Sequence, residues 1–568
     1  MAALNGGQLA ARTLKEAGVE VVFGVHGGHL DSFLMGCAEQ DIRVIDCRHE
    51  AAAVNAADGY ARATAGLGVA FVTSGPGLTN GLAGITNAAA DDVPVLVITS
   101  SSPIREIETR ELQGGLDLIA MVGPVTRWAR KILAAERTAD MVSLGIRHAL
   151  AQRGPVVIDM PIDVAFTPVE EASMPPHGEP RVSSAAVARA DHIDSAARLL
   201  EAAERPVVIV GEGALTENIR ESLANFAEAT GVPVFSNLIA PYGLPRDHDL
   251  SGGNTLSLGF LQPPPDLVVL AGARQGMFTG GRAGGAIPPG AKVIQLDPDA
   301  VEIGRLYPVD QALVGALGPS LDMLAVAGNW PQRADWISAA TSLPDMGPIL
   351  FPDTGMEADG IHPHSAAREI ASALPEDAIL VFDGGEAPLW VLGALGKTRF
   401  HTQLNLGYQG HLGSGQGYAM GAQIAHPDKR VIQIAGDGAI AFQIQEWDTM
   451  VRHGLPVVTI IFNNACWGMS IHGQHAVYGG RDVATRLAPT AYEIVGTGFG
   501  THGELVETIE EIGPAIERAL ASGSPAVINI RISAEVVHPI THALLGELDN
   551  ENQIVVPYYQ NLPAQIRE

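Results

Sequence analysis

Cysteine is scarce in this chain, which carries three cysteines in 568 residues. Cys37, Cys47 and Cys466 show no metal-ligand spacing, and three thiols cannot all pair with one another. The sequence therefore gives no support for a disulfide-rich secreted scaffold or for a cysteine-ligated metal site. We expect reduced thiols and a cytoplasmic location.

Positive charge is also in short supply. The chain has 35 lysines and arginines against 63 aspartates and glutamates, a formal net charge of −28, and no run of basic residues. An acidic surface without a basic patch disfavours nucleic acids and anionic membranes, so neither is expected as a partner. An anionic ligand would need a metal ion, backbone N–H groups or a few placed arginines to bind.

Long apolar runs are missing as well. No uninterrupted apolar stretch reaches the length of a membrane span. The N-terminal segment MAALNGGQLAARTLKEAGVE follows an amphipathic helix pattern, whereas a secretory signal has a charged start and an apolar core. These features also favour a protein of the cytoplasm that does not enter membranes.

The chain does have many glycines and many short apolar runs that alternate with helical stretches. Its 46% hydrophobic content and 65 glycines are typical of a globular α/β protein. Such alternation predicts parallel sheets covered by helices. We predict buried strands at the runs VEVVFGV, IRVIDC, GVAFVTSG, VPVLVIT, GPVVIDMP, RPVVIVGEGA, VPVFSN, DLVVLAGAR, KVIQLDPD, AILVFDGG, RVIQIAGDGA, LPVVTIIFNNACWG and PAVINIRI.

The predicted fold class is therefore α/β, with three doubly wound parallel-sheet domains and a C-terminal tail. A chain of 568 residues is too long for one ordinary core, and two segments rich in proline and polar residues interrupt the alternation near 166–191 and 341–364. The first and third units have similar size and strand rhythm, as an ancient duplication would leave. The predicted boundaries are 1–165, 192–340 and 360–535 for the domains and 536–568 for the tail.

The strongest chemical signal lies in the third unit. Gly436-Asp437-Gly438 follows the strand VIQIA, and Asn463-Asn464 follows the strand VVTIIF. A carboxylate and an amide oxygen at the ends of neighbouring parallel strands face the ligand crevice and suit Mg²⁺. The glycines allow a diphosphate to approach the backbone, and a helix starting near Ala439 would direct its N–H groups at it. Either motif alone is typical of an ordinary turn, but the two together favour a cofactor site.

The segment GDG…NN resembles the thiamine-diphosphate motif, and other segments continue the resemblance. Arg48-His49-Glu50, followed by three alanines, looks like the segment with the activating glutamate. Ser74-Gly75-Pro76-Gly77, with Asn80 three residues on, looks like the turn found in acetohydroxyacid-synthase-like enzymes. On these motifs the chain is identified as a member of the thiamine-diphosphate-dependent enzymes over roughly residues 1–535. The order of domains would be pyrimidine-binding, middle and diphosphate-binding.

The resemblance implies thiamine diphosphate and Mg²⁺ as cofactors, with the metal bound by Asp437, Asn464 and the backbone carbonyl of Cys466. Leu412, among glycines in GYQGHLGSGQGYAMGAQ, would be the apolar wedge that bends the cofactor, although an ordinary core leucine is the alternative. Because two domains hold opposite ends of the cofactor, related enzymes assemble each site between two chains, which implies at least a homodimer and predicts a homotetramer. The predicted cofactor-binding residues are Gly28, Glu50, Gly75, Asn80, Gly385, Leu412, Gly436, Asp437, Gly438, Ala439, Asn464, Cys466, Trp467, Gly468 and Met469.

Further segments narrow the reaction. His29 in VHGGH and Gln113 in LQGGLD resemble the histidine loop and the glutamine segment of benzaldehyde lyase, and such side chains can move the proton of a substrate hydroxyl. Met469, Glu493 and the longer tail with VVPYYQNLP look more like the bacterial 2-hydroxyacyl-CoA lyases. Predicted catalytic residues are Glu50, His29, Gln113 and Glu493. The structural alternatives are a surface histidine, a turn-capping glutamine, a solvated helix-end glutamate and a loose terminus in place of a lid.

The predicted activity is cleavage of a 2-hydroxyacyl-CoA, for example 2-hydroxyisobutyryl-CoA, to formyl-CoA and an aldehyde or ketone, with acyloin condensation as the reverse. Alternatives are a benzaldehyde-lyase-type enzyme acting on free aromatic acyloins, and an acetolactate synthase or 2-oxoacid decarboxylase. A catalytically inactive binding or regulatory subunit with the same fold is a further alternative, which Glu50, Asp437 and Asn464 argue against.

The middle domain offers a second ligand site. The strand KVIQLDPD ends at Asp297, whose carboxylate could accept a ribose hydroxyl, and LAGAR brings Arg274 nearby. Oxalyl-CoA decarboxylase binds ADP in such a place, so ADP or the CoA nucleotide is a candidate ligand, although the same fold is often empty in relatives.

Overall fold

The computed structural model describes residues 4–170, 173–175, 178–181, 186–215, 217–240, 243–245, 247–281, 285–342, 355–395 and 402–545. The segment VVPYYQNLP and the rest of the predicted lid beyond residue 545 lie outside this part. The predicted fold class is confirmed, because three six-stranded sheets, all parallel, follow one another along the chain. In the described part of the chain, no helix is long and apolar enough to cross a membrane.

The first unit is a parallel sheet of order β3-β2-β4-β5-β7-β6, with a short antiparallel pair β1-β8 beside it. Every residue of its central strands β4, β5 and β7 is buried, since helices cover both faces. Its strands are β1 Leu4–Asn5, β2 Val21–Gly24, β3 Arg43–Asp46, β4 Gly68–Val72, β5 Val95–Thr99, β6 Trp128–Lys131, β7 Val156–Asp159 and β8 Pro168–Val169. Its helices are α1 Gly6–Glu16, α2 Asp31–Glu39, α3 Glu50–Thr64, α4 Pro76–Ala90, α5 Leu118–Val122, α6 Thr138–Gln152 and α7 Ile162–Phe166.

The middle unit has strand order β11-β10-β9-β12-β13-β14, so the order reverses between β9 and β12. Such a reversal is the point where doubly wound sheets bind ligands. Its strands are β9 Pro206–Val210, β10 Val234–Ser236, β11 Ser251–Asn254, β12 Leu267–Ala271, β13 Lys292–Asp297 and β14 Gln311–Val314. Its helices are α8 Ala190–Ala202, α9 Arg220–Thr230, α10 Leu317–Ala325 and α11 Ala334–Thr341.

The third unit repeats the topology of the first. Its sheet order is β18-β17-β19-β20-β22-β21, which matches the first sheet strand for strand. Its strands are β15 Met356–Glu357, β16 Gly360–Ile361, β17 Ile379–Asp383, β18 Thr402–Leu404, β19 Val431–Gly436, β20 Val458–Asn463, β21 His502–Val506 and β22 Ala526–Arg531. Its helices are α12 Pro363–Ala373, α13 Glu386–Ala394, α14 Ser414–Ala425, α15 Asp437–Ile440, α16 Glu446–His453, α17 Gly468–Tyr478, α18 Tyr492–Phe499, α19 Ile509–Ala521 and α20 Pro539–Leu545.

Helix α3 of the first unit packs directly on helix α14 of the third unit. A Cβ atom at Gly417 would lie 2.8 Å from the carbonyl oxygen of Ala52, so only glycine allows this approach. Beside it, the buried Arg62 pairs with Asp58 at 2.6 Å and with Asp91 at 2.9 Å. The first and third units, which carry the predicted site residues, therefore pack directly against each other.

Candidate functional site

A cavity of about 280 Å³ opens at the carboxyl edge of the third sheet, where the loops after β17, β19 and β20 meet. All the residues of the third unit that the sequence predicted as cofactor-binding lie in its lining. They are Gly385, Leu412, Gly436, Asp437, Gly438, Ala439, Asn464, Cys466, Trp467, Gly468 and Met469.

Asp437 is the first residue of helix α15, which therefore begins two residues before the predicted start. Its carboxyl is buried, and Oδ2 has no hydrogen-bond partner among the residues that the structure describes. Burial raises the pKa of Asp437 to about 7, while backbone N–H groups of Gly438 and Ala465 act in the opposite direction. An oxygen that is shielded from water and lacks a donor fits a site for a cation.

Asn464 follows β20 in a strained turn that faces the same cavity. Its Oδ1 accepts a hydrogen bond from the N–H of Cys466 at 3.3 Å, and Ala465 between them has a φ of 53°. Among the described residues, no group of three or more His, Cys, Asp or Glu side chains could hold a metal. The predicted ligand set differs from such a group, since it combines one carboxylate with an amide and a backbone carbonyl.

Two residues outside the predicted site hold this cavity in shape. Tyr492 is buried on α18 and donates from its hydroxyl to the backbone oxygen of Asp437 at 2.8 Å. Asp383, at the end of β17, accepts from the N–H groups of Gly413 and Gly415 at 3.1 and 2.9 Å, and so fixes the turn that carries Leu412. The signal for Asp383 was present, because it ends an apolar strand and precedes two glycines, and Asp437 likewise follows an apolar strand next to glycines.

The neighbouring indole ring leaves no space for a side chain at Gly438. A Cβ atom at this position would lie 2.6 Å from Cζ3 of Trp467, so any side chain would displace the ring from the cavity wall.

The carboxyl edge of the first sheet brings Glu50 and Asn80 together. Glu50 opens helix α3 and is 8% exposed, and its Oε2 accepts from Nδ2 of Asn80 at 3.1 Å. Asn80 lies in the first turns of helix α4, which begins after the strand β4 that neighbours β2. The predicted turn motif thus serves to place an amide against the predicted activating carboxylate.

Gln113 reaches the same edge through its backbone. Its carbonyl oxygen accepts from the hydroxyl of Ser74 at 3.0 Å, and a Cβ atom at Gly75 would lie 2.6 Å from that oxygen. Gln113 itself has a φ of 61°, an uncommon value for a residue with a side chain. The segment with the predicted glutamine is therefore packed against the turn that precedes Asn80.

His29 lies in a single turn of 3₁₀ helix, Gly28–Leu30, which follows β2 at this edge. Its side chain is half-buried, and its backbone oxygen faces the hydroxyl of Ser100 at 3.4 Å. His26, earlier in the loop, is exposed and pairs with Asp31 at 2.9 Å. The two loop histidines therefore differ in environment, and His29 is the more enclosed.

Glu493 does not reach the cavity lining. It lies in the first turn of α18, and its Oε2 accepts from Nδ2 of the buried Asn529 at 2.7 Å. Asn529 in turn accepts from Nδ2 of Asn463 at 2.9 Å. The contacts of Glu493 in the structure are thus to the strands below the Asn-Asn motif, and its catalytic role stays a prediction.

No described residue of the first unit lines the cavity of the third unit. Within one chain, Glu50, His29 and Gln113 therefore occupy one sheet edge and the predicted metal ligands another. The structure brings together the residues at each sheet edge. Within one chain it does not bring these two half-sites together.

In the predicted nucleotide site of the middle unit, the arginine already binds residues of the first unit. Arg274 pairs with Asp92 of the first unit and donates to the backbone oxygen of Ala90 at 2.8 Å. Asp297 remains buried at the end of β13, where burial raises its pKa to about 6. The guanidinium of Arg274 joins two units, so nucleotide binding at this edge would have to rely on other groups and stays a prediction.

Comparison with protein families agrees with this division into units. Residues 4–121 match the model described as "Thiamine pyrophosphate enzyme, N-terminal TPP binding domain". Residues 193–324 match the central domain of the same enzymes, and residues 383–530 match their C-terminal TPP binding domain. Thiamine pyrophosphate is another name for thiamine diphosphate.

Individual relatives extend over nearly the whole chain. The acetolactate synthase large subunit of Mycobacterium tuberculosis is 34% identical over 543 residues, which cover 94% of this chain and 97% of that protein. Acetolactate synthase isozyme 2 large subunit of Escherichia coli is 27% identical, with 93% and 96% covered. The 2-hydroxyacyl-CoA lyase 2 of Caenorhabditis elegans is 27% identical, with 93% and 89% covered. The matched domains and relatives place this chain in the family of thiamine-pyrophosphate-dependent, acetohydroxyacid-synthase-like enzymes.

Proposed function

We propose that the enzyme is a 2-hydroxyacyl-CoA lyase, which cleaves a short 2-hydroxyacyl-CoA to formyl-CoA and an aldehyde or ketone. The observation that carries the proposal is that the histidine and the glutamine segment lie at the same sheet edge as Glu50. A hydroxyl proton must leave the substrate during such cleavage, and these groups can take it. Decarboxylation of a 2-oxoacid starts from a substrate without that hydroxyl and has no such need.

The cofactor would bind between the two half-sites. Asp437, Asn464 and the carbonyl of Cys466 would hold Mg²⁺, and the unpartnered Oδ2 of Asp437 supports this choice. Gly436, Gly438 and Gly385 would leave room for the diphosphate, and Leu412 would support the bend between the two rings. When bound, thiamine diphosphate supplies the electron sink that allows a bond next to a carbonyl to break.

Glu50 would hold a proton against the pyrimidine ring. Its carboxylate is shielded from water and accepts from Asn80 at Oε2, which leaves Oε1 for a ring nitrogen of the cofactor. Gly28, Gly75 and Asn80 would form the wall around that ring. The low exposure of Glu50 strengthens such a hydrogen bond, because competing water is excluded.

The reaction balances without an added oxidant or reductant. The substrate hydroxyl loses its proton to His29 Nε2 or Nδ1, with Gln113 as a hydrogen-bonding neighbour, and its oxygen becomes the carbonyl of the released aldehyde or ketone. The bond between C1 and C2 breaks, and C1 gains a proton to give formyl-CoA. The reverse reaction is an acyloin condensation with the same proton transfers.

The wall on the substrate side favours small acyl groups. Trp467 and Met469 both line the cavity. Bulky side chains at this wall narrow the space beside the cofactor, which disfavours an aryl ring. Short branched acyl groups such as 2-hydroxyisobutyryl therefore fit the proposal better than benzoin.

A complete site would need two copies of the chain. The half-site with Glu50 does not line the cavity of its own chain, so a second copy would supply it. We propose a homodimer as the minimum active unit, and a homotetramer built from two such dimers.

The test is product analysis with purified enzyme supplied with thiamine diphosphate and Mg²⁺. 2-Hydroxyisobutyryl-CoA should yield acetone and formyl-CoA in equal amounts, with benzoin and pyruvate turned over much more slowly. His29→Ala should lower kcat/KM by about 100-fold, and His26→Ala, a matched change in the same loop, should not. Turnover of benzoin alone would contradict the proposal.

Acetolactate synthesis is the second candidate, because the M. tuberculosis relative is 34% identical and is named an acetolactate synthase. This candidate is tested by measuring the formation of 2-acetolactate from pyruvate under the same conditions. Efficient acetolactate formation, with activity unchanged in His29→Ala, would favour this candidate over the lyase.

A further inference from the structure

A buried carboxylate on the cavity wall has no place in the chemistry described so far. Glu386 is the first residue of α13, directly after Gly385, and it lines the cavity while being 7% exposed. Its two oxygens lie 2.9 and 3.0 Å from Nδ1 of His472. Thr541 donates from its hydroxyl to Oε1 at 2.7 Å. The carboxylate therefore contacts two other elements, α17 and α20.

The contacts of His472 fit its charged form beside an ionised Glu386. Nδ1 faces the carboxylate of Glu386, and Nε2 faces the backbone oxygen of Ala534 at 2.9 Å. A carboxylate and a carbonyl only accept, so both ring nitrogens must carry protons. Burial alone would lower the pKa of His472, but the hydrogen bond and charge of Glu386 raise it overall. Glu386 and His472 thus form a buried ion pair.

The pair touches the segment 533–541 at two points, Ala534 and Thr541. Ser533, which precedes Ala534, and Val536, which lies between the two points, line the cavity itself, and Thr541 is 1% exposed. The ring of His538 packs edge-on against Trp390 of α13, with centroids 4.4 Å apart. This segment follows the last strand of the third sheet and forms one side of the cavity.

We propose that Glu386 and His472 act as a clasp that fixes segment 533–541 as a wall of the cofactor cavity. Glu386 holds the segment through Thr541, and His472 holds it through Ala534, so both are positioning residues rather than catalytic ones. The inference rests on the proposed use of this cavity for the cofactor. Removal of one partner of a buried pair leaves the other uncompensated, so the clasp opens when either side chain loses its charge.

The segment also bears on how the cavity admits its ligand. Ser533 and Val536 line the same cavity as Gly385, beside which the diphosphate would lie. If the wall moves outward, the cavity gains an opening to water on that side. The clasp therefore keeps water out of the cofactor site and holds the phosphate end of the cavity closed.

The direct test is hydrogen–deuterium exchange of the full chain, measured by mass spectrometry without cofactor or substrate. In Thr541→Val and Glu386→Gln, amides of residues 533–541 should exchange about tenfold faster than in the wild type. The matched control is His475→Gln on the same helix α17, whose side chain pairs with Asp482 outside the clasp. In all three variants, amide exchange elsewhere in the third unit should equal that of the wild type.

A second readout is the affinity for thiamine diphosphate with Mg²⁺, measured by calorimetry. The two clasp variants should bind the cofactor about tenfold more weakly than wild type, with a smaller effect on kcat at saturating cofactor. Unchanged exchange of 533–541 in both variants would overturn the clasp even if the lyase is active. Loss of the lyase reaction with the exchange result intact would overturn the proposed function and leave the clasp in place.

Discussion

Asn80 donates a hydrogen bond from Nδ2 to Oε2 of Glu50 across 3.1 Å, and it joins helix α4 to the first residue of helix α3. The two residues are thirty positions apart in the chain, and they follow strands β3 and β4, which flank β2 in the first sheet. The amide fixes the rotamer of a buried carboxylate and uses one of its two oxygens. Glu50 therefore presents a single oxygen in a defined direction, as a group that shares one proton with a ligand requires.

Replacement of Glu50 by glutamine should lower kcat by about 10²–10⁴-fold. Glutamine has nearly the same shape and can keep the contact with Asn80, but it cannot hold the proton. The rate should be measured with 2-hydroxyisobutyryl-CoA at saturating cofactor. Glu20→Gln, an exposed position paired with Lys15, is the control. Activity of Glu50→Gln close to that of the control would contradict the assigned role.

Glu446 gives the protein a predicted pH dependence of stability. This buried carboxyl on α16 accepts from the N–H of Arg48 at 3.2 Å, just before Glu50, and burial raises its pKa to about 7. In the unfolded chain the group has its ordinary pKa of 4.5. Between these values the unfolded state releases the proton more readily, so the free energy of unfolding falls as pH rises and the loss is complete above pH 7.

Glu446→Gln should remove this contribution, because the amide stays neutral while it can still accept a hydrogen bond. The variant should gain about 3 kcal/mol relative to wild type at pH 8 and almost nothing at pH 4.5. Urea unfolding of the cofactor-free protein across this range measures the difference. Asp448→Asn, at a more exposed position of the same helix, tests whether the loss of any carboxylate from α16 has this effect. Equal stability of wild type and Glu446→Gln at pH 8 would contradict the prediction.

Tyr492→Phe should weaken Mg²⁺ binding by about tenfold. The lost hydroxyl donates to the backbone oxygen of Asp437, so the carboxylate beside that oxygen becomes less well oriented. The measurement is the Mg²⁺ concentration for half-maximal activity at saturating thiamine diphosphate. Tyr478→Phe, at an exposed tyrosine of α17, tests whether any loss of a tyrosine hydroxyl has this effect. An unchanged Mg²⁺ requirement in Tyr492→Phe would show that the contact has no part in metal binding.

The central strands of all three sheets could be predicted from the sequence, whereas most edge strands could not. Strands buried on both faces read as apolar runs, as in β4, β5 and β19. The strands absent from the predicted set all lie at sheet edges, where one side meets solvent or a loop and the apolar run is lost. In the three six-stranded sheets they are β6, β11, β14, β18 and β21, and the short strands β1, β8, β15 and β16 of the two-stranded sheets were not predicted either.

The site residues also divide into two groups. Short motifs predict some of them, whereas the contacts of others depend on residues far away in the chain. Asp437 and Asn464 each follow an apolar strand within a short motif, so their common cavity was predictable from the topology of parallel sheets. The contact of Glu493 with Asn529 and the engagement of Arg274 by Asp92 depend on residues far away in the chain. The pair Glu386–His472 likewise joins positions 86 residues apart. No periodicity or spacing in the sequence encodes such partners.

The contact between the first and third units contains one fully buried arginine. Arg62 forms ion pairs with Asp58 and Asp91, and its guanidinium lies 4.8 Å from the ring centroid of Tyr418 on α14. Tyr418 also donates to Asp58 at 3.1 Å. Arg62→Met should lower the free energy of unfolding by about 3–5 kcal/mol, because two buried carboxylates lose their counter-charge. Arg198→Met, at an exposed arginine of α8, is the matched control and should change it by less than about 1 kcal/mol. Urea unfolding followed by circular dichroism measures both, and a loss in Arg62→Met no larger than in the control would mean that apolar packing of α3 on α14 alone holds the two units together.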